Sequence, residues 1–231
     1  MRASDLQRLT IDVGASHRVS GLFERPDEAR AVLVLAHGAG AGMEHPSMQT
    51  VADGLAQRHV ATLRYQFPYM ERKNRRPDPP ALCHATVRAA VAEAARLAPD
   101  LPLIAGGRSF GGRMTSQAQA LSSLAGVRGL VFLAFPLHPA GRPATDRADH
   151  LQEVGIPMLF IQGSRDELAE FDLLREVIRQ LSPRANLHVL QDADHSFHVP
   201  ARSGRKDPAV REEALDAICV WLDNLGGAQP S

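Results

Sequence analysis

The sequence predicts an α/β fold in which a mostly parallel sheet carries helices on both faces. Three observations point there. Uniformly apolar runs of strand length recur along the chain, stripes of helical period lie between them, and the residues best able to do chemistry follow directly after the apolar runs. A strand covered on both faces reads as a continuous apolar run, because neither of its faces meets water. The 231 residues suffice for one domain, 1–231, with a sizeable core, and no linker-like stretch divides them.

Taken in order, Leu9 to Val13 and Arg18 to Glu24 alternate as two opening strands joined by the turn-like Gly14-Ala15-Ser16, an antiparallel edge. Ala31 to Ala36 is wholly apolar and runs into His37-Gly38-Ala39-Gly40, as a central parallel strand opening into a backbone-exposing loop would. A helix is expected from Pro46 to Arg58, and Val60 to Tyr65 reads as the next strand. The stretch from Gln66 to Pro80 is the least regular. Val87, Ala90, Val91, Ala94 and Ala98 recur at helical spacing and predict a crossover helix over 81–98 that delivers the chain to the short strand Leu101 to Ala105.

Beyond the glycines at 106–112 a further helix is expected. Leu130 to Phe135 and Met158 to Ile161 are two more buried strands, and Pro136 to Leu151 leaves room for a loop and at most one short helix. Phe171, Leu174, Ile178 and Leu181 mark one face of a helix, Leu187 to Leu190 is a last short strand, and Ala214, Ala217, Ile218, Trp221, Leu222 and Leu225 stripe the closing helix.

Composition narrows the classes of function. Twenty-six basic and twenty-six acidic residues cancel, so no overall field recruits nucleic acid or an anionic membrane. A small molecule is the expected partner. No apolar run is long enough to span a bilayer and the first ten residues are polar, which predicts a soluble, cytoplasmic protein. Cys83 and Cys219 lack metal-ligand spacing, so both read as structural thiols, with neither metal nor cofactor expected. Nothing in these residues fixes an oligomeric state.

Gly107-Arg108-Ser109-Phe110-Gly111 has the G-x-S-x-G form of a nucleophile elbow. A serine on a sharp strand-to-helix turn needs small neighbours two places away, so that strand and helix can pass closely. The turn lifts the hydroxyl clear of the sheet and aims free N–H groups at an oxygen that becomes negative. A lone match can equally be a glycine-rich turn; its setting between strand and helix argues for the elbow.

A serine needs a base, and His195, in the loop after the last strand, is the candidate. His198 is its rival. The imidazole needs an acid on its other nitrogen, and Asp166, in Gly163-Ser164-Arg165-Asp166-Glu167, completes the order Ser, Asp, His. Ser164 and Glu167 also form a capping-box pattern, so Asp166 could simply favour the start of a helix there. The N–H groups of Phe110 and Ala39 are the expected oxyanion donors, with Gly40 as alternative to Ala39.

Together these segments resemble the α/β-hydrolase superfamily. Phe67-Pro68-Tyr69, Phe135-Pro136-Leu137-His138-Pro139 and the HGAGAG loop are similar to a group of small lidless serine hydrolases related to dienelactone hydrolase. The resemblance implies an eight-stranded sheet, a Ser-His-Asp esterase-type site and no cap domain. Dienelactone hydrolases proper carry cysteine where this chain has Ser109, so their substrate does not transfer.

Met43, Phe67, Tyr69, Arg108, Leu137 and His138 flank the site and are candidate pocket residues, although aromatic and Met side chains at strand ends more often pack than bind. Arg72, Lys73, Arg75 and Arg76 read either as a solvated basic loop or as an attractor of anionic substrates. The expected activity is cleavage of a small carboxylic ester or thioester through an acyl-enzyme on Ser109. The alternatives are acyl transfer by the same residues, or a non-catalytic interaction module resembling a regulatory subunit of eukaryotic acetyltransferase complexes.

Overall fold

A computed structural model describes residues 5–227. One eight-stranded sheet runs through it in the order β1-β2-β4-β3-β5-β6-β7-β8. The strands are β1 Asp5–Val13, β2 His17–Arg25, β3 Ala31–Ala36, β4 Val60–Tyr65, β5 Leu103–Arg108, β6 Val127–Leu133, β7 Met158–Gly163 and β8 Ala185–Leu190. β1 pairs antiparallel with β2 and β2 with β4, and every pairing from β4 onward to β8 is parallel. The sheet is therefore mostly parallel with an antiparallel edge, as the apolar runs predict.

Six helices cover the faces: α1 Pro46–Ala56, α2 Pro68–Glu71, α3 Pro80–Leu97, α4 Phe110–Leu121, α5 Phe171–Gln180 and α6 Asp207–Gly227. The period of a strand decides which residue serves which layer. Val32 and Val34 of β3 join the core beneath α3, α4 and α5, with Val87, Met114 and Leu174. Leu33 and Leu35 point the other way, to Met48 and Leu55 of α1 and Ala214, Ile218 and Trp221 of α6. Burial on both sides is why β3 has no polar residue at all.

Several boundaries differ from the sequence expectation, and two of them bear on the site. β5 continues through Gly106 and Gly107 to Arg108, because these glycines belong to the strand rather than to a turn. A Cβ on Gly106 would stand 1.9 Å from the Val131 carbonyl oxygen of β6, so only glycine lets the two strands lie this close. Conversely, β6 stops at Leu133 rather than Phe135, since Ala134 takes a φ of 57° and turns the chain out of the sheet.

The capping-box expectation fails. No helix opens at Ser164; residues 164–169 form turns, and α5 begins at Phe171, where the Glu170 side chain accepts from the Leu173 N–H. Between β6 and β7 lie a loop and a 3₁₀ segment, Asp146–Glu153, so no cap domain covers the carboxyl ends of the strands among the described residues. No helix of the described residues is long and apolar enough to cross a membrane.

Candidate active site

Parallel sheets leave their ligand-facing loops at the carboxyl ends of the strands, and the candidate residues gather there. Ser109 follows β5 with φ 49° and ψ −117°, a region that residues other than glycine seldom occupy. Its N–H donates to the Leu133 carbonyl at 2.9 Å. Close packing enforces the turn. A Cβ on Gly107 would lie 2.6 Å from the Ala36 oxygen, and one on Gly111 would lie 2.5 Å from the His37 oxygen.

The Ser109 hydroxyl lies 2.9 Å from His195 Nε2, and His195 Nδ1 lies 2.7 Å from Asp166 Oδ2. Because Asp166 accepts at Nδ1, the proton of neutral His195 belongs there and Nε2 is left to accept from the serine. Asp166 is 4% exposed. Its carboxylate also accepts from Gln162 Nε2 at 2.6 Å and from the Leu168 N–H at 2.8 Å. A buried carboxylate held by several donors has its polar atoms satisfied and its orientation fixed.

The two loops that bring acid and base together are pressed against each other. A Cβ on Gly163 would meet the Ala193 oxygen at 2.3 Å, while the Arg165 N–H donates to that same oxygen at 2.9 Å and Asp192 N–H to Ser164 Oγ at 2.9 Å. His198, the rival base, points elsewhere and pairs with Asp207 at 2.9 Å.

Phe110 is the first residue of α4, so its N–H has no acceptor within the helix. The Ala39 peptide is held from outside: the Tyr69 hydroxyl donates to the Ala39 carbonyl at 3.0 Å. His37 fastens the same loop. Its Nδ1 donates to the Gly38 carbonyl at 2.8 Å and its Nε2 accepts the Phe67 N–H at 3.0 Å. Burial pushes the His37 pKa down to about 4, which keeps the ring neutral and able to accept near neutral pH.

The structure thus brings together Ser109, Asp166 and His195, sets Phe110 directly after the serine, and ties the Ala39 carbonyl to Tyr69, whose ring meets Phe110. It does not bear out the pocket expectation for Met43, Phe67, Tyr69, Leu137 and His138, all of which are closed off from solvent. Phe67 and Tyr69 stack on each other and meet Phe110 edge-on at 5.6 and 6.3 Å between ring centres, so they form the wall behind the oxyanion loop. His138 is committed to the backbone, with Nε2 accepting the Glu170 N–H and Nδ1 donating to the Pro139 carbonyl.

Arg108 remains partly exposed, and its Nη2 donates to the His195 carbonyl at 2.9 Å. Residues 71–76 are all exposed, with Arg72 paired to Asp78. Sequence reasoning missed Gln162, although a lone amide inside an otherwise apolar strand was a visible signal.

Residues 29–223 match the family model described as an alpha/beta hydrolase domain. The chain belongs to the α/β-hydrolase family. Solved structures with the same fold include a dienelactone hydrolase from Anabaena variabilis, 20% identical, covering 93% of this chain and 97% of its own, with a TM-score of 0.73. An α/β serine hydrolase homologue from Coxiella burnetii is 21% identical over 91% of this chain and 96% of its own, with a TM-score of 0.72. A serine hydrolase without a lid from Xanthomonas campestris is 22% identical over 94% and 95%, also at 0.72. Among the described residues of this α/β-hydrolase, no group of three or more His, Cys, Asp or Glu side chains is placed to hold a metal ion.

Proposed function

We propose that the protein is a serine hydrolase that cleaves a small carboxylic ester or thioester through an acyl-enzyme on Ser109. The observation that carries this reading is the unbroken chain from Ser109 Oγ through His195 to the buried Asp166, at 2.9 and 2.7 Å. Ser109 Oγ attacks the carbonyl carbon as its proton passes to His195 Nε2, and Asp166 stabilises the imidazolium so formed. The N–H groups of Ala39 and Phe110 receive the oxyanion. His195 then protonates the leaving alkoxide or thiolate, and water repeats the sequence to release the acid.

Two features support a small substrate. Among the described residues no cap encloses the site, and the side chains of Phe67 and Tyr69 are spent on packing. A fluorophosphonate probe tests the reading: the expected adduct sits on Ser109 by peptide mass spectrometry and is lost in His195→Ala. A folded protein that fails to label removes it. Esters and thioesters of short acyl chains, assayed with and without added alcohols or amines, then separate hydrolysis from acyl transfer.

A further inference from the structure

Behind the catalytic loop, on the side of the sheet covered by α1 and α6, lies a cavity of about 240 Å³. Its lining is largely apolar, with Val51, Leu133, Ala214, Leu215 and Ile218, and includes two arginines, Arg108 and Arg211. A partly enclosed apolar space with two cations and no anion is an unusual arrangement, because burying a charge without a partner is costly.

The acids near these cations are already engaged. Asp166 and Asp194 act on Arg108 through space, but Asp166 serves His195, Gln162 and Leu168, while Asp194 Oδ1 accepts the Ser196 and His198 N–H groups. Arg211 acts on Asp207 in the same way, and that carboxylate is held by His198 and the Val199 N–H. Among the described residues neither arginine forms an ion pair within 4.0 Å. Arg108 makes one hydrogen bond, to the His195 carbonyl, and lies 5.1 Å from the centre of the Phe197 ring. Its other N–H groups are free to take a planar two-oxygen acceptor.

We propose that this cavity is an accessory binding site for a small apolar carboxylate, whose carboxyl group bridges Arg108 and Arg211 while its body rests on Leu133, Leu215 and Ile218. The volume admits an acid of the size of phenylacetate and excludes long acyl chains. Because Arg108 also holds the His195 carbonyl, occupancy and the placement of the catalytic loop are coupled. The carboxylate could belong to a substrate or product, or to a separate effector; the recognition chemistry is the same in each case.

The experiment is calorimetric titration of phenylacetate, with phenylacetamide as its neutral counterpart, into the Ser109→Ala protein and into the same protein carrying Arg211→Gln. The expected result is saturable binding of the acid, with about tenfold or greater weakening both for the amide and for Arg211→Gln, as the loss of a charged hydrogen bond implies. Equal binding of acid and amide by the folded protein overturns the proposal, as does an affinity unchanged by Arg211→Gln. Inhibition of the unaltered enzyme acting on a neutral ester then identifies the source: a competitive pattern assigns the site to substrate or product, a non-competitive one to an effector. Binding is read without turnover, so its failure is distinguishable from failure of the esterase reading.

Discussion

Two serine–histidine pairs lie within one helix of each other, and only one of them has the surroundings of a nucleophile. Ser109 and His195 are 2.9 Å apart at the end of β5; Ser116 and His150 are 2.7 Å apart where α4 meets the 3₁₀ segment. The shorter contact is the one without a carboxylate behind its imidazole among the described residues. Ser116 is buried, and its hydroxyl is shared between His150 Nε2 and the Arg113 carbonyl at 3.0 Å. Burial and the nearby charges of Arg113 and His84 push the His150 pKa down to about 4, so this imidazole is a poor proton acceptor, and no carboxylate among the described residues supports it.

What separates the pairs is therefore not the distance between serine and histidine. On the proposed function it is the acid behind the ring, the strained turn that carries the hydroxyl, and the Phe110 N–H at the start of α4. The sharpest way to break this comparison is to remove both serines in turn. Ser109→Ala is expected to lower ester turnover by on the order of 10⁴-fold or more, whereas Ser116→Ala leaves kcat/KM essentially unchanged. Comparable losses from the two variants would mean that the wrong pair has been assigned.

Asp166→Asn tests the acid alone. Loss of the negative charge that fixes the His195 tautomer is expected to reduce kcat by about 10³- to 10⁴-fold with little change in KM. An inert response would show that the backing acid is not what distinguishes His195 from His150. Next in size is the pH dependence of stability, which both low-pKa histidines influence. The folded values of His37 and His150 lie near 4, below the 6.5 of an unfolded histidine, so the unfolded chain binds more protons between these limits. Stability is therefore complete above about pH 6.5 and falls as the pH drops toward 4, by up to roughly 3 kcal/mol for buried His37 and by less for the half-buried, solvent-screened His150. Urea unfolding of the unaltered protein and of His150→Gln measures it, the variant showing the shallower slope.

Tyr69→Phe removes the hydroxyl that holds the Ala39 carbonyl without emptying the aromatic cluster. About a tenfold loss in kcat is expected from one hydrogen bond of this kind. The smallest effect is on folding: Ser116→Ala should cost about 1 kcal/mol, read from the same urea curves, because it leaves His150 without its buried partner.

The sheet and the loops that gather Ser109, Asp166 and His195 were legible in the chain because they rest on local patterns. Ala31–Ala36 and Val60–Tyr65 were found at their observed limits, since continuous apolar runs have few alternative readings. Ser109, Asp166 and His195 each follow a parallel strand, so the topology itself brings them together. What was not legible depended on the third dimension. Leu137 and Tyr69 sit at strand ends like pocket residues, yet whether such a side chain faces solvent or core is set by neighbours distant in sequence. The capping-box pattern at Ser164 to Glu167 predicted a helix start that the turns at 164–169 replace, because local spacing alone does not decide whether a helix follows.

The contact between Gly163 and the Ala193 carbonyl has an engineering consequence. Acid and base ride on two loops that are buttoned together through Ser164, Arg165, Asp192 and Ala193, and they form a cassette that reaches the serine as one piece. The connection between β6 and β7 meets the loop of Asp166 at His138, whose N–H donates to the Leu168 carbonyl and whose Nε2 accepts the Glu170 N–H, and residues 139–146 lie beyond that joint. New recognition segments could be grafted at residues 139–146 while the proton-handling cassette stays in register, which makes this chain a natural chassis for redesigned specificity.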